Sequence, residues 1–523
     1  MHVVESGRMW SSRVPWERLR GSWVWVLPLL AVAWYVATFV LHAWALVRFP
    51  FQAEYGEGPL LNEALRLASG HTIYHNNASP PYIVSNYPPV YVGALALFHL
   101  LGAQGFWAGR ALSGASVLAA GALAGLTVRE VLGGGEPAVG GGGRWLSAAL
   151  ALGLICAQYF IWQWGPMERV DSLALAWSMA GLYAVARCPE RAERAWPWFL
   201  LAALTRQSEI EGLVAALWFL WARDRARAKG LAARFAAALL LVVAALDVAT
   251  RGQFLVQILL DNINRWTVGL AATNLAAWVF IAGGLPLMLF AVWGWRLTRS
   301  RPAGRLLTGY AAAAWIIVLT VGKIGSSINY FFPSIAAAAM LAALVPHAPG
   351  RRQVAAMLLC AFLIGVPPLS NVPGSVGDMA RELTAFHDMQ TPMFNELGWR
   401  APLDGADPGD AALVRLLART PGPVLFSDVG DLLQSGHMVF YQAFEMTQVA
   451  ANGHWNPAPL VSDAQAGAFP LVIFNFPLSQ PSLWDTQRWP PTLLRVLATH
   501  YHLAGRIGRR WLYRPTSAGG TSG

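Results

Sequence analysis

Charged residues are scarce in this chain. Only 13% of its 523 residues are Asp, Glu, Lys or Arg, whereas 55% are hydrophobic. A soluble domain carries about 25% charged residues, so the composition excludes an ordinary soluble protein and indicates a membrane protein. The length allows a large helical bundle together with one soluble domain.

Lysine is nearly absent, since Lys229 and Lys323 are the only two, although the formal net charge is +10. Arginine therefore carries the positive charge. A basic chain can bind nucleic acid, but neither a zinc-finger spacing nor a basic arm accompanies these arginines. Basic residues also collect in short cytoplasmic loops of membrane proteins. We prefer this second interpretation and expect no nucleic-acid partner.

Cysteine is also rare, with Cys156, Cys188 and Cys360 as the only three. None falls in the polar C-terminal region, which excludes a disulfide framework there. The N-terminus does not resemble a cleaved signal peptide, because the apolar run near 23–47 is too long and lacks a small-residue cleavage site. We expect an uncleaved first transmembrane helix that starts in the cytoplasm.

Eleven apolar segments are long enough, or nearly long enough, to cross a bilayer, which takes roughly 20 residues. They lie near 23–47, 106–128, 145–163, 171–187, 195–205, 209–222, 232–250, 271–294, 306–321, 329–346 and 353–370. A glycine-rich stretch at 132–143 predicts a flexible cytoplasmic linker. The chain is thus predicted to be a multi-pass protein of the cytoplasmic membrane.

A further apolar run at 90–101 is short. At about 1.5 Å per residue it covers less than about 20 Å of a core about 30 Å thick. If it does not cross, the arginine-rich loops all share the side of the basic N-terminus, as the positive-inside rule expects. We therefore predict that residues 88–101 form a re-entrant or surface helix within one external loop, 48–105, and that Asn86 and Gln104 face the same side. The alternative is an ordinary short spanning helix.

The composition changes after residue 370, because Asp, Gln, His and Pro occur throughout 371–523. The runs "PVLFSD" and "PLVIFNF" predict buried strands, and "APLVSDAQAGAF" and "PPTLLRVLATHY" predict helices that follow turns. Alternating strands and helices are typical of a small α/β domain. With eleven crossings, this domain is extracytoplasmic, so we divide the chain into a transmembrane domain, 1–370, and an α/β domain, 371–523.

The loop 48–105 carries the first candidate site. Glu54 and Glu57 are three residues apart and can point to one side of a turn, where a carboxylate pair can take a proton or hold a metal. They could equally cap the following helix, whose dipole favours negative charge. Leucines and alanines at helical spacing predict an amphipathic helix over 58–69 on the membrane, with Glu63 and Arg66 on its solvated face.

Further charged residues lie beside apolar segments. Asp171, in "ERVDSLALAW", is a candidate base or a simple helix N-cap. Arg206, in "LTRQSE", sits among apolar segments, where an arginine is costly and indicates function. We expect Arg206 and Lys323 to converge on one external cavity and bind a lipid phosphate, because both cations bind phosphate groups. The alternatives are that each cation points separately to water, or that Arg206 pairs with Glu209 or Glu211.

The order of these motifs resembles the GT-C superfamily of polytopic glycosyltransferases, which includes protein O-mannosyltransferases and the RgtA/B/C/D-like and dolichyl-phosphate-mannose mannosyltransferase groups. The resemblance rests on "EYGEG", "ALRLASGHTIY", "YPPVY", "GR", "ERVDSLALAW" and "NYFFP", in that order. It implies an α-helical membrane enzyme, a hexosyl- or pentosyltransferase. This enzyme would move a sugar from a polyprenyl-phosphate donor to a lipid, glycan or protein acceptor on the external face.

The resemblance also implies roles for individual residues. Either Glu54 or Glu57 would be the general base, since the usual Asp-Glu pair is replaced here by Gly56 and Glu57. Asp171 matches a second acid that orients the acceptor or a metal. The residues expected to bind substrate are Arg206, Lys323, Arg110, Tyr87, Asn329, Tyr330 and Arg169.

No cofactor is required by this scheme, although a divalent metal ion at Glu57 and Asp171 is a second option. A glycine-rich nucleotide loop is absent from the sequence. Two other classes compete with the enzyme. A lipid or polysaccharide transporter would show inverted repeats and broken helices at mid-membrane, and a membrane-anchored binding module would not need eleven crossings.

Overall fold

The computed structural model describes residues 16–134, 139–299, 301–302, 304–347 and 408–516. The first part of the chain is a bundle of apolar helices, and the last part is a small α/β domain. The helices of the first part are α1 Trp16–Arg48, α2 Glu57–Ala68, α3 Pro89–Leu100, α4 Trp107–Gly133, α5 Gly141–Cys156, α6 Tyr159–Trp164, α7 Val170–Arg187, α8 Trp196–Thr205, α9 Glu211–Arg223, α10 Arg225–Ala249, α11 Gln253–Leu255, α12 Val268–Ala276, α13 Gly284–Thr298, α14 Gly304–Val318 and α15 Phe332–Ala342.

Each predicted crossing within the described residues coincides with one or two of these helices. By length and composition, five continuous helical stretches in the described part of the chain can span a membrane: Pro28–Arg48, Trp107–Gly133, Arg225–Ala249, Gly304–Gly322 and Ile328–His347. The other predicted crossings coincide with helices that are shorter or less apolar. The eleventh, 353–370, lies outside the described residues, as does part of the glycine-rich linker.

The predicted crossing at 271–294 is not one straight helix. It consists of Val268–Phe280 and Gly284–Thr298, which meet at an angle of 76°. Gly283 adopts a φ of 77° at the junction, a left-handed conformation that costs glycine little and ends the preceding helix. The two parts together pass as a sixth span only if the bent pair is counted as one.

Small residues allow the helices at the centre of the bundle to approach closely. α4 packs against α5 and α7, and its interior positions are largely Gly, Ala and Ser. A Cβ atom at Gly125 would lie 2.3 Å from the carbonyl oxygen of Ala148. Such close packing supplies much of the attraction between helices in lipid, where burial from water contributes little.

Burial differs sharply between spans. The span Ile328–His347 is 89% buried inside the protein, whereas Arg225–Ala249 is only 11% buried. The exposed residues of α10 include Leu240, Leu241 and Val248, which suits contact with lipid tails. α15 thus lies at the core of the bundle and α10 at its surface.

Residues 48–105, the first loop, form a compact layer on one end of the bundle. Its predicted helix over 58–69 is α2, which ends just before Gly70, a residue with a φ of 78°. The prediction that Glu63 lies on a solvated face was wrong, because the residue is only 3% exposed. α2 packs against α3 and against a helix of the C-terminal domain, so protein covers the face that we expected in water.

The C-terminal part confirms the predicted α/β class. Its strands form one sheet in the order β1-β2-β4-β3, with β1 and β2 parallel and the remaining pairs antiparallel. The two predicted strands are β1 and β2, and the β3–β4 hairpin was not predicted. The elements are α16 Pro408–Ala418, β1 Val424–Phe426, α17 Val429–Gln434, α18 Ala443–Ala451, α19 Ala458–Gln465, β2 Leu471–Phe474, α20 Leu483–Arg488, α21 Pro491–His500, β3 Tyr501–Ile507 and β4 Arg510–Pro515.

The first loop is joined to this domain by backbone hydrogen bonds. Tyr82 donates its N–H to Phe440 at 2.8 Å and accepts the N–H of Gln442 at 2.9 Å. The side chain of Gln442 accepts the N–H of Val84 at 2.8 Å, and Tyr82 and Val84 belong to the domain's hydrophobic core. The loop and the domain therefore lie on the same side of the bundle.

Candidate active site

Two adjoining cavities lie where the bundle, the first loop and the C-terminal domain meet. The first, of about 170 Å³, is here called the acidic cavity, and its charged residues are Glu54, Glu63, Arg169, Glu445 and Arg488. The second, of about 260 Å³, is called the cationic cavity, and its charged residues are Arg206 and Lys323. Both are lined by Asn86, Tyr87, Gly325 and Phe444.

Glu54 reaches the acidic cavity from the turn before α2. Its Oε2 accepts the backbone N–H of Gly56 at 2.8 Å and lies 3.2 Å from Nη1 of Arg169. Burial raises the pKa of the Glu54 carboxyl, although the charge of Arg169 opposes that rise. A carboxylate with a raised pKa can accept a proton near neutral pH, which is what a general base needs.

Arg169 occupies the space that a side chain at position 56 would fill. A Cβ atom on Gly56 would lie 1.2 Å from Nη1 of the arginine. The guanidinium also stacks over Trp164, at 5.0 Å from the ring centroid, and donates to the Tyr87 hydroxyl at 3.4 Å. The missing side chain at Gly56 thus explains how an arginine, rather than an acid, lies beside Glu54.

Glu57 lines neither cavity and is fully buried with Arg110. The carboxylate accepts from Arg110 Nε at 2.9 Å and Nη2 at 2.7 Å, and both side chains are 0% exposed. Burial alone would raise the pKa of Glu57, but the Arg110 charge and these hydrogen bonds lower it. Backbone N–H groups of Ala53 and Glu168 also bind the carboxylate, at 2.8 and 2.9 Å. The structure therefore separates the two predicted acids: Glu57 fastens the loop to α4, and only Glu54 lines a cavity.

Arg110 is likewise committed to the protein. Besides Glu57, its guanidinium donates to the carbonyl oxygens of Leu46, Phe49 and Phe51. It lines neither the acidic nor the cationic cavity. The expectation that Arg110 binds substrate directly is at odds with this position, and the residue instead holds the end of α1 against α4.

Asp171 contacts Arg206, a residue that lines the cationic cavity. Its Oδ1 lies 3.2 Å from Arg206 Nε and accepts from Asn329 Nδ2 at 2.8 Å, while Oδ2 accepts from Trp164 Nε1 at 3.1 Å. Asp171 lies within the first turn of α7, whose N-cap is Arg169, so it is not the N-cap. Neither Asp171 nor Asn329 lines the acidic or the cationic cavity, and their contacts are those of positioning residues.

Arg206 and Lys323 line the same cavity, as the sequence predicted. The Arg206 guanidinium stacks on Tyr330 at 4.6 Å from the ring centroid, and its Nη2 is buried without a hydrogen-bond partner among the described residues. Nζ of Lys323 donates to the carbonyl and side-chain oxygens of Asn262 at 3.0 and 2.9 Å. The alternative pairing also occurs, since Nη1 of Arg206 lies 3.8 Å from Glu209.

The C-terminal domain contributes Phe444, Glu445 and Arg488 to the acidic cavity. The hydroxyl of Tyr55 donates to Glu445 and links the first loop to this wall. Sequence analysis missed all three residues, because nothing in the local sequence of a soluble helix shows that it packs on a distant membrane loop. Glu63 was missed as well, and its carboxylate accepts from the Ser85 hydroxyl at 2.8 Å.

The proposed metal site does not fit the residues present. Glu57 is held by Arg110 and Asp171 by Arg206, so each carboxylate is already neutralised by a buried cation. Within the described part of the chain, no three His, Cys, Asp or Glu side chains are grouped as metal ligands.

No family model matches this chain, and no curated protein matches it.

Solved structures, in contrast, match it over nearly its whole length. The crystal structure of ArnT from Cupriavidus metallidurans bound to undecaprenyl phosphate aligns with a TM-score of 0.59 and 16% identity, covering 93% of this chain and 98% of that one. The apo oligosaccharyltransferase of Archaeoglobus fulgidus aligns with a TM-score of 0.54 and 13% identity, covering 96% and 75%. Both are GT-C glycosyltransferases. The chain has the GT-C fold. At these identities the likeness extends to the GT-C architecture, a multi-pass bundle with a C-terminal domain, and not to any single residue.

Proposed function

We propose that this GT-C protein is a membrane glycosyltransferase, a hexosyl- or pentosyltransferase, that moves a sugar from a polyprenyl-phosphate donor to an acceptor hydroxyl. One observation carries the proposal. A cavity that contains Glu54 adjoins a cavity that contains Arg206 and Lys323, and the two share four lining residues. The base can take the proton from the acceptor hydroxyl, and the pair of cations beside it can stabilise the departing phosphate.

The reaction would run across the boundary between the cavities. Glu54 takes the proton from the acceptor hydroxyl while the oxygen of that hydroxyl attacks the anomeric carbon of the donor sugar. The bond from that carbon to the phosphate oxygen breaks, and its electron pair leaves with the lipid phosphate. Arg206 and Lys323 stabilise the negative charge on the departing phosphate. The products are the glycosylated acceptor and the free polyprenyl phosphate.

Two features of the cationic cavity support a phosphate ligand. Nη2 of Arg206 is buried and unpartnered in the described residues, and leaving such a donor unsatisfied costs about 1–3 kcal/mol. A phosphate oxygen would satisfy it, and guanidinium groups bind phosphate with strong, directional hydrogen bonds. The ArnT structure of the same fold carries undecaprenyl phosphate, which supports a polyprenyl carrier here.

The side of the membrane on which the cavities open follows from the charge of the loops and from the contact between the first loop and the C-terminal domain. The arginine-rich loops predict a cytoplasmic N-terminus, and the first loop and the C-terminal domain share one side of the bundle. We infer that both cavities open on the external face of the cytoplasmic membrane. A transporter or a binding module with this fold would have no use for a base beside the phosphate cavity.

The test compares two carboxylates three residues apart. Full-length Glu54→Gln and Glu57→Gln proteins are incubated with undecaprenyl-phosphate-linked hexoses and pentoses and with membrane lipid and glycan acceptors, and released undecaprenyl phosphate is measured. Loss of a general base typically costs about 100- to 10,000-fold, so we expect that loss for Glu54→Gln in a folded protein. Glu57→Gln should instead lower folded yield, because breaking a buried ion pair costs about 3–5 kcal/mol. Near-normal turnover by Glu54→Gln would refute the assignment.

A further inference from the structure

A third cavity lies between the first loop, the segment after α11 and the C-terminal domain. Its volume is about 470 Å³, larger than the acidic or the cationic cavity and within the range of about 300–1,000 Å³ found for ligand sites. None of its lining residues lines the other two. It is here called the amide cavity after its polar residues, Asn76, Asn77, Gln253, Asp261, His454 and Asn456.

The asparagines of the amide cavity are held so that their N–H groups are free. Asn76 and Asn456 each accept, through Oδ1, the backbone N–H two residues later, at 2.8 and 3.0 Å. Asn77 accepts the N–H of Ile83 in the same way at 3.0 Å. Among the described residues no acceptor binds the Nδ2 of these three asparagines, nor does any partner bind the side chain of Gln253. The wall therefore offers several oriented neutral donors.

An acceptor and an aromatic ring complete the wall. Asp261 is only 7% exposed, and its Oδ1 lies 3.2 Å from Nδ1 of His454. The indole of Trp455 donates to the carbonyl oxygen of Asn77 at 3.0 Å and packs on Tyr82 with ring centroids 5.0 Å apart. These contacts fix the orientation of the indole at the edge of the cavity. The ring thus combines a rigid apolar surface with a satisfied polar atom.

This lining matches the chemistry of a neutral sugar. Hydroxyl groups accept from amide N–H groups and donate to a carboxylate, and the C–H face of a pyranose ring can pack on an indole. No Lys or Arg lines the cavity within the described residues, so a phosphate or a nucleotide would meet no cation. A lipid tail has no acceptor for the oriented donors and would leave them unpaired, which costs free energy. A peptide has carbonyl acceptors, but a sugar carries several hydroxyl groups, each of which can both accept from the amides and donate to Asp261.

The amide cavity lies close to the acidic cavity. Both touch α18, where Phe444 and Glu445 line the acidic cavity and Val449 lines the amide cavity. Four residues of helix rise about 6 Å. The segment after α11 lies between the amide cavity and the cationic cavity, since Leu259 lines the cationic cavity and Leu260 lines the amide cavity. A sugar in the amide cavity would therefore be a neighbour of the group that reacts beside Glu54.

We infer that the amide cavity binds a neutral sugar residue of a glycan acceptor. This inference rests on the proposed function and narrows it, because it selects a glycan among the lipid, glycan and protein acceptors. The sugar residue in the amide cavity stays unmodified and fixes the position of the glycan. The next sugar residue of the glycan then presents its hydroxyl to Glu54. The amide cavity then supplies the binding affinity for the acceptor, and the acidic cavity supplies the base that the reaction needs.

Binding can be tested without turnover. Full-length Glu54→Gln protein in a zwitterionic detergent, which avoids the sugar headgroups of maltosides, is titrated with neutral trisaccharides of glucose, galactose and mannose. Saturation-transfer NMR reports binding. We expect at least one trisaccharide to bind, and Gln253→Ala or Asp261→Asn to weaken it at least ten-fold. Gln465→Ala is the matched control, because that exposed side chain lies outside every cavity described above.

The outcomes separate this inference from the proposed function. Binding of undecaprenyl phosphate is measured on the same variants, and it should not change with Gln253→Ala. If no trisaccharide binds, or if binding is equal in Gln253→Ala and Gln465→Ala, the glycan site is refuted while the lipid-phosphate site stands. If the parent protein did not bind undecaprenyl phosphate, the proposed donor would be refuted instead.

Discussion

The contrast between Glu54 and Glu57 shows how neighbouring acids acquire different roles. Glu54 lies in the turn before α2 and Glu57 at its first residue, and each carboxylate contacts an arginine. Glu57 and Arg110 are completely buried, whereas the Glu54 and Arg169 side chains are 18% and 11% exposed. A fully enclosed ion pair is committed to structure, because losing either partner leaves an uncompensated charge. A partly exposed pair at a cavity can exchange its partner for a substrate.

Gly56 offers a direct test of the position of Arg169. Gly56→Ala leaves Glu54 in place but puts a Cβ atom 1.2 Å from the present Nη1 of Arg169, so the guanidinium must move. A misplacement of about 1 Å can cost about 100-fold in rate, and we expect a loss of that order in sugar transfer.

The matched control is Gly93→Ala in α3, where an added Cβ would contact nothing within 4 Å. Transfer rates are compared at equal amounts of folded protein. If the two variants were equally active, Arg169 would not need its present position.

Glu63 predicts a pH dependence of stability. Burial raises the pKa of its carboxyl from 4.5 to about 8, although the Ser85 hydroxyl opposes the rise. Between these two values the folded protein holds a proton that the unfolded chain has released, so stability falls as the pH rises through this window. Glu63→Gln should remove that decline, and its thermal midpoint should exceed that of the parent protein most clearly above pH 8.

Thermal unfolding of both proteins from pH 5 to pH 9 checks this prediction. Glu190→Gln serves as the control, since the Glu190 side chain is 70% exposed and its change should leave the slope unaltered. Parallel curves for the parent and Glu63→Gln would contradict the assigned environment.

Among the elements, α3 decides the topology. This helix has 12 residues, or about 18 Å at 1.5 Å per residue, against a bilayer core about 30 Å thick. We predict that it does not cross, so that both of its ends are external. Ser79 and Gln104 are exposed on either side of it and can be labelled without altering Asn86, which lines the acidic and the cationic cavities.

Cysteine labelling with an impermeant reagent on intact cells checks this prediction. Ser79→Cys and Gln104→Cys should react equally, whereas the exposed native Cys188 should react only after permeabilisation, because its loop is predicted to be cytoplasmic. Labelling of one introduced cysteine but not the other would show that α3 spans the membrane.

For the whole molecule, we expect the junction between the first loop and the C-terminal domain to hold the wall of the acidic cavity in place. Gln442 is fully buried and its side chain binds the backbone N–H of Val84. Gln442→Ala would leave that N–H unsatisfied, at a cost of about 1–3 kcal/mol. Two residues further along, Phe444 and then Glu445 line the cavity, so we expect slower transfer together with a looser junction.

Hydrogen exchange of residues 82–85 measures the junction directly, and transfer is assayed on the same sample. Both should change in Gln442→Ala and neither in Gln465→Ala. Slower transfer with unchanged exchange would mean that Gln442 acts in some way other than by holding the domain.

The sequence by itself determined the class of protein and the parts of the site that follow from local composition. Apolar runs predicted the helices, buried runs predicted β1 and β2, and the cost of a cation among apolar segments singled out Arg206. The motif order indicated the GT-C fold that the solved structures share. These inferences worked because hydrophobicity and the cost of a desolvated charge act on each segment separately.

Tertiary structure alone decided which of the polar residues meet. Glu54 and Glu57 are nearly equivalent in sequence, and only the burial of Arg110 shows that Glu57 is structural. The walls formed by Glu445 and Arg488 come from a domain more than 300 residues away, and the amide cavity from three separate segments. Such contacts depend on how independent elements pack, and packing depends on the shapes of distant surfaces that no local pattern encodes.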